Sequence, residues 1–191
     1  GILAATDTTL ENEYIRLEFE PQNGYITRMV YLEDGWEVLS GPGAVPLVIE
    51  DKSDTWSHGI FCFHDVIGRF GGATLEVVEC GPVRATVRVI SRYGASSLTQ
   101  EFSLYAGLPY VDVKTIVNWQ EQQKALKLEF PVNVQEPKVT YEIQFGTIER
   151  PANGEEEPGL HWFDVSEGNA GSKIYGLSIL NDAKYSYDVD G

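Results

Sequence analysis

Glu13-Tyr14-Ile15-Arg16-Leu17-Glu18-Phe19-Glu20 is followed by the turn Pro21-Gln22-Asn23-Gly24 and by a second apolar-rich segment, residues 25–32. The first segment alternates polar and apolar residues, which is the two-residue period of a half-buried strand. Asn-Gly supplies the positive φ of a tight turn, so residues 25–32 read as the returning strand of a hairpin. Glu33-Asp34-Gly35 turns the chain again. The same grammar continues outward. Strand patterns cover 73–80, 85–93, 96–106, 110–119, 126–131, 139–143 and 173–180, punctuated by Gly81-Pro82, Tyr93-Gly94 and Gly107-Leu108-Pro109. Helix signals are nearly absent. Residues 119–124, Trp-Gln-Glu-Gln-Gln-Lys, are too few to hold a helix alone and read as a loop or single turn. No linker and no repeat divides the chain. The expectation is an all-β protein, residues 1–191 as a single domain, built as a large antiparallel β-sandwich with little or no helix. Residues 41–72 and 150–170 read as long irregular segments, where function concentrates.

The chain has 191 residues, enough for one sizeable β domain, and 42% hydrophobic and 12% aromatic content supports a packed core. The formal net charge of −15 lacks the clustered Lys and Arg that a phosphate backbone or an anionic membrane needs, so neither nucleic acid nor membrane is expected as a partner. Neutral ligands such as sugars remain open. Cys62 and Cys80 read as buried free thiols in apolar strands, which fits a reducing compartment and a cytoplasmic location. His58, His64 and His161 are spread too far for a dedicated zinc site, which wants three or four ligands. His58 and His64 would share a face if they lay on one strand. No metal or cofactor is expected within this chain. The N-terminus Gly1-Ile2-Leu3-Ala4-Ala5-Thr6 has no charged n-region, no long apolar run and no Met, and reads as the start of a cut-out from something longer.

Three groups of residues could carry chemistry. Asp54-Thr55-Trp56-Ser57-His58-Gly59 brings a carboxylate, an indole and an imidazole together in the first irregular segment. An indole face stacks on sugar C–H bonds while Asp54 and His58 hydrogen-bond hydroxyls. The plainer reading is a Trp plugging an edge, with Asp54 and His58 satisfying backbone groups. Glu149-Arg150-Pro151 places a permanently charged guanidinium at a strand end. It could hold a carboxylate of a neighbouring domain or a sugar hydroxyl, or pair with Glu149 or the acidic run at Glu155-Glu156-Glu157. Asn181-Asp182 with Lys184 and Tyr185 follows an apolar strand and is by itself an ordinary turn. A glycosidase needs two facing carboxylates, and no spacing here singles out a pair.

Six blocks in order resemble the family 38 glycoside hydrolases, the α-mannosidases. They are Leu10-Glu11-Asn12-Glu13-Tyr14 with Asn23-Gly24; Gly81-Pro82-Val83-Arg84-Ala85; Asn118-Trp119 with Leu126-Lys127-Leu128 and Phe130-Pro131-Val132; Gln144-Phe145-Gly146-Thr147-Ile148-Glu149-Arg150-Pro151; His161-Trp162-Phe163-Asp164-Val165-Ser166; and Leu180-Asn181-Asp182-Ala183-Lys184-Tyr185. The resemblance implies a post-catalytic β-sandwich similar to galactose mutarotase. Its partner would be the enzyme's own α/β-barrel, which carries the nucleophile and a zinc ion and is absent from this sequence. The implied role is to complete the rim of a mannoside site, with Asp54, Trp56, His58, Glu149, Arg150, Asn181, Asp182 and Tyr185 as rim or domain-interface candidates. No catalytic residue is inherited, and the isolated chain is expected to be inactive. Asn118 stands where the family commonly has Asp, and Ala152-Asn153 where it has Thr-His. Segment 54–59 matches one branch of the family better than the animal lysosomal type, with its Trp-Asp-x-Trp pattern. Two alternatives stay open. One is a free-standing carbohydrate-binding module stacking sugars on Trp56, Trp36 or Trp162. The other is a mutarotase-like enzyme using a His acid and a carboxylate base. A surface meant for a barrel would be apolar or aromatic and able to pair two copies as a homo-oligomer.

Overall fold

In the computed structural model, which describes residues 3–167 and 173–191, the first alternation is a strand whose burial follows its sequence: Ile15, Leu17 and Phe19 are buried, and Arg16 and Glu18 face outward. The opening sheet runs in sequence order through β1 (Ala4–Thr6), β2 (Thr9–Glu11), β3 (Ile15–Phe19), β4 (Ile26–Tyr31) and β5 (Trp36–Glu37), all antiparallel. Gly24 sits at φ 75° in the β3–β4 turn, and a Cβ there would lie 2.2 Å from Val89 Cγ1. Glycine is required at that position both for its backbone and for its lack of a side chain.

Next come β6 (Val45–Glu50), β7 (Val66–Arg69), β8 (Gly71–Cys80), β9 (Arg84–Tyr93), β10 (Ser96–Tyr105), β11 (Asp112–Asn118) and β12 (Lys124–Glu129). The long hairpins form a four-stranded sheet, β11-β10-β9-β8, and β6 joins β12 and β7 in a three-stranded one. The opening sheet lies face to face with the four-stranded sheet, giving a sandwich. Phe19 and Phe102 rings meet at 5.2 Å, and Leu10, Leu17, Val87, Val89 and Leu104 close the space between. Each such buried side chain contributes about 1.5–3 kcal/mol. Asn12 is buried among them with every polar atom satisfied. Its Nδ2 donates to the carbonyls of Tyr105 and Leu108 at 2.8 and 2.9 Å, and its Oδ1 accepts from the N–H groups of Tyr14 and Ile15 at 2.9 and 2.8 Å. Val48, Phe70 and Leu98 form a second centre, backed by Tyr93, Trp119 and Leu126.

These strands make up one compact unit, Gly1–Asp51 with Asp65–Pro131; the second is Lys52–His64 with Val132–Gly191. In the second unit β13 (Pro137–Ile143), β14 (Gly146–Arg150), β16 (Trp162–Glu167) and β17 (Gly176–Leu180) pair in the order β14-β13-β16-β17, and β15 (Glu157–Pro158) pairs with β18 (Ser186–Tyr187). Its core is Val139, Tyr141 and Val165 with Phe163, Tyr187 and Val189 around them.

Several expectations change. Residues 41–72 are not one irregular segment, because β6 and β7 lie inside them; 51–65 is the longest stretch there outside strands. Residues 150–170 contain β15 and β16, and 168–170 lie outside the described residues. Cys62 and Cys80 are exposed rather than buried. Cys62 falls in the 52–64 loop, and Cys80 ends β8 beyond the reach of the core, so thiol burial does not carry a compartment. His58 and His64 lie on no strand. Among the described residues there is no helix, and residues 119–124 are extended or bent until β12 begins at Lys124.

Candidate functional site

All eight candidate side chains belong to the second unit. Asp54 organises its own loop. Its Oδ1 accepts the N–H of Trp56 at 2.9 Å and of His58 at 3.4 Å, and its Oδ2 stands 2.8 Å from His58 Nδ1. Ser57 takes φ 50° and Gly59 φ 72° to close the turn. The hydrogen bond from His58, then that from the Trp56 backbone, holds the Asp54 carboxyl below its usual range. With Nδ1 held by the carboxylate, Nε2 is the ring nitrogen left to meet a ligand. Trp56 is 80% exposed and Phe61 70%, so the loop that holds the fixed carboxylate–imidazole pair also presents two aromatic side chains to solvent. The trio of Asp54, Trp56 and His58, close in sequence, is thus brought together by its own turn.

Arg150 is engaged elsewhere. Its side chain is 17% exposed, Nε lies 3.0 Å from Glu157 Oε2, Nη1 donates to the Pro158 carbonyl, and the guanidinium sits 5.2 Å over the Tyr141 ring. It fastens β14 to β15. Glu149 meets Lys138 Nζ at 2.8 Å across the β13–β14 pair, on the surface. Asn181 builds a turn: its Oδ1 accepts from the N–H groups of Ala183 and Lys184, and its Nδ2 donates to the Tyr187 hydroxyl at 2.6 Å. Asp182 and Tyr185 remain exposed beyond that turn.

Two residues outside the eight candidates join Tyr185: His161, which heads one of the family-resembling blocks, and Glu142, which the sequence does not single out. His161 donates its backbone N–H to Glu142 Oε2 at 2.7 Å, and its Nδ1 lies 3.1 Å from the same oxygen. The Tyr185 ring stands edge-on to the His161 ring at 6.5 Å. Only sheet register could reveal this pair, since β13 brings Glu142 beside the start of β16 across a separation of 19 residues. Phe145, fully exposed at the β13–β14 tip, holds φ 66°, a conformation that costs a bulky residue about 1–2 kcal/mol. Sequence reading also passes over Tyr187. Its ring packs 4.5 Å from Phe163, and its hydroxyl lies 2.8 Å from the Leu160 carbonyl and 2.6 Å from that of Lys184. The Tyr185-Ser186-Tyr187 alternation is the signal that could have found it. Trp36 and Trp162 are half-buried, so of the proposed stacking platforms Trp56 alone stands clear of the surface.

Among the described residues no group of three His, Cys, Asp or Glu side chains could hold a metal ion. The described residues do not fit a zinc site. The arrangement sets two imidazoles, each held by a carboxylate, in one unit: His58 with Asp54 and His161 with Glu142, the latter edge-on to Tyr185.

The sequence model described as the glycosyl hydrolases family 38 C-terminal domain matches residues 10–191. Alpha-mannosidase 2C1 of Mus musculus is 34% identical over 211 residues, covering 100% of this chain and 19% of that protein. Alpha-mannosidase G of Dictyostelium discoideum is 31% identical over 209 residues, covering 98% of this chain and 18% of that protein. The crystal structure of an alpha-mannosidase from Enterococcus faecalis V583 superposes with a TM-score of 0.69 at 14% identity over 97% of this chain and 28% of that one, a likeness of fold. The chain spans about a fifth of the length of these curated relatives.

Proposed function

Because the chain belongs to the C-terminal domain family of the family 38 glycosyl hydrolases, we propose that it is the non-catalytic β region of a longer retaining α-mannosidase. In this reading it supports a zinc-dependent catalytic barrel and completes the rim of the mannoside site from outside. The observation that carries the rim assignment is the 52–64 loop, where Asp54 pre-orients His58 and leaves Trp56 80% exposed. A side chain so exposed and so flanked suits the C–H face of a pyranoside, with His58 Nε2 positioned for a hydroxyl. Asp182 and Tyr185 are the second rim group. Arg150, Glu149 and Asn181 contribute by holding strand ends in place.

An aryl α-mannoside assay tests this. The isolated chain gives no turnover, and the longer polypeptide does. In the longer polypeptide Trp56→Ala and His58→Ala each lower kcat/KM about tenfold, equivalent to about 1.4 kcal/mol of lost binding. Unchanged kinetics in both variants would remove the loop from the sugar site. The exposure of Trp56 also favours a second reading, a carbohydrate-binding module. Micromolar binding of mannose oligosaccharides to the isolated chain in calorimetry, abolished by Trp56→Ala, would establish that reading instead.

A further inference from the structure

The two edges of the sheet β11-β10-β9-β8 are treated differently. Strand β8 is blunted against further pairing. It carries register shifts at Gly71/Thr74 and Val77/Glu79, presents Glu76 and Glu79, and has its Val77 N–H capped by Asp7 Oδ1 at 3.3 Å. Strand β11 also carries charge, Asp112 and Lys114, but has no register shift. It pairs with β10 over 7 residues from Asp112 to Asn118 without a bulge or a proline, and every one of those residues is exposed. On its inner face Val113 and Val117 stand opposite the buried Phe102 and Leu98, yet are 39% and 42% exposed, so the apolar stripe runs to the edge and stops unfinished. On its outer face a cross-strand row reads Glu76, Arg88, Glu101, Lys114. Arg88 bridges both glutamates at 2.7 Å, and the alternation of sign ends on Lys114 at the open edge.

We propose that β11 is a docking edge for one further strand of the same, longer polypeptide, with apolar side chains beside Val113 and Val117 and an acidic residue beside Lys114. The occupant follows from the relatives and from the charge. The same fold is embedded in chains of which it makes up only 19% or 28%, so ample polypeptide lies outside it. A second copy is disfavoured because each carries a net charge of −15. The inference rests on the reading that this chain is part of a longer α-mannosidase.

Amide hydrogen exchange decides it. In the isolated chain the outward N–H groups of β11 exchange as a free edge. In the longer polypeptide the same amides slow by at least about a hundredfold. Val117→Lys, placed on the docking face, removes at least about tenfold of that protection in the longer polypeptide while the β9–β10 amides keep theirs. Two results overturn the proposal: equal exchange of β11 in both polypeptides, or slow exchange in the isolated chain that depends on its concentration, which assigns the edge to a second copy. Mannoside hydrolysis is read separately. Protection without hydrolysis keeps the strand and removes the mannosidase reading; hydrolysis without protection does the reverse.

Discussion

Tyr141 is fully buried, and among the described residues its hydroxyl has no hydrogen-bond partner. Burial pushes its phenol up to about 12, with Glu157 adding to the effect. The folded-state value lies above the unfolded value near 10, so the stabilisation is complete below pH 10 and is lost as pH rises toward 12. The gap between those two values corresponds to at most about 2–3 kcal/mol. Alkaline unfolding followed by circular dichroism should therefore steepen between pH 10 and 12, and Tyr141→Phe should flatten it. That variant also removes a stranded polar group and should stabilise the protein at neutral pH by about 1 kcal/mol, raising Tm by about 2–4 °C. A loss of stability would mean that the hydroxyl has a partner after all. Residues also show where sequence reading works. Asp54, Trp56 and His58 are legible because their contacts lie within one turn. The partner of Arg150 is legible too, since the acidic run holding Glu157 is close in sequence. Glu142 and His161 are not, because strand pairing joins them.

Among the elements, β17 begins at a position with no room for a side chain. A Cβ on Gly176 would lie 2.6 Å from the Val165 carbonyl oxygen and 2.8 Å from Ser166 Cα, atoms of the paired β16 backbone that cannot swing away. Gly176→Ala should cost about 1–3 kcal/mol in denaturant melts and loosen the β16–β17 pair. The β13–β14 tip behaves oppositely. Phe145→Gly relieves the positive φ and should gain up to about 1 kcal/mol, so a bulky aromatic kept there works against stability. If the longer polypeptide loses activity or cohesion with this variant while gaining stability, the tip is a contact. Element reading fails where burial hides the pattern. Strand β6 is buried at Val45, Pro46, Leu47, Val48 and Ile49, on both faces, so its sequence shows no alternation and merges with the loop that follows. Strands β3, β9 and β10, with one face turned outward, keep their alternation and are legible.

At the scale of the whole molecule the dominant fact is charge. Surface pairs such as Arg84–Glu79 and Arg28–Glu37 are exposed and each worth little, whereas a net charge of −15 opposes compaction everywhere. Raising salt from about 10 to 150 mM should therefore raise Tm by a few degrees, because screening relieves more repulsion than attraction. A fall in Tm would show that the ion-pair rows matter more than the net charge. The sequence expectation of an all-β architecture without helix holds among the described residues, and the family match spans both compact units.

The second unit is discontinuous in sequence: Lys52–His64 belongs to it although the rest begins at Val132. On the ribosome, that segment emerges long before its partners. At about 5–20 residues per second, Trp56 and Phe61 wait on the order of several seconds for Gly154 and Glu156, whose neighbours in the finished fold are His64 and Phe61. During that interval the Phe61 carbonyl lacks the N–H of Glu156 and His64 lacks Gly154, so this segment stays open to mispairing until the last quarter of the chain arrives, and slower synthesis past β6 lengthens that exposure.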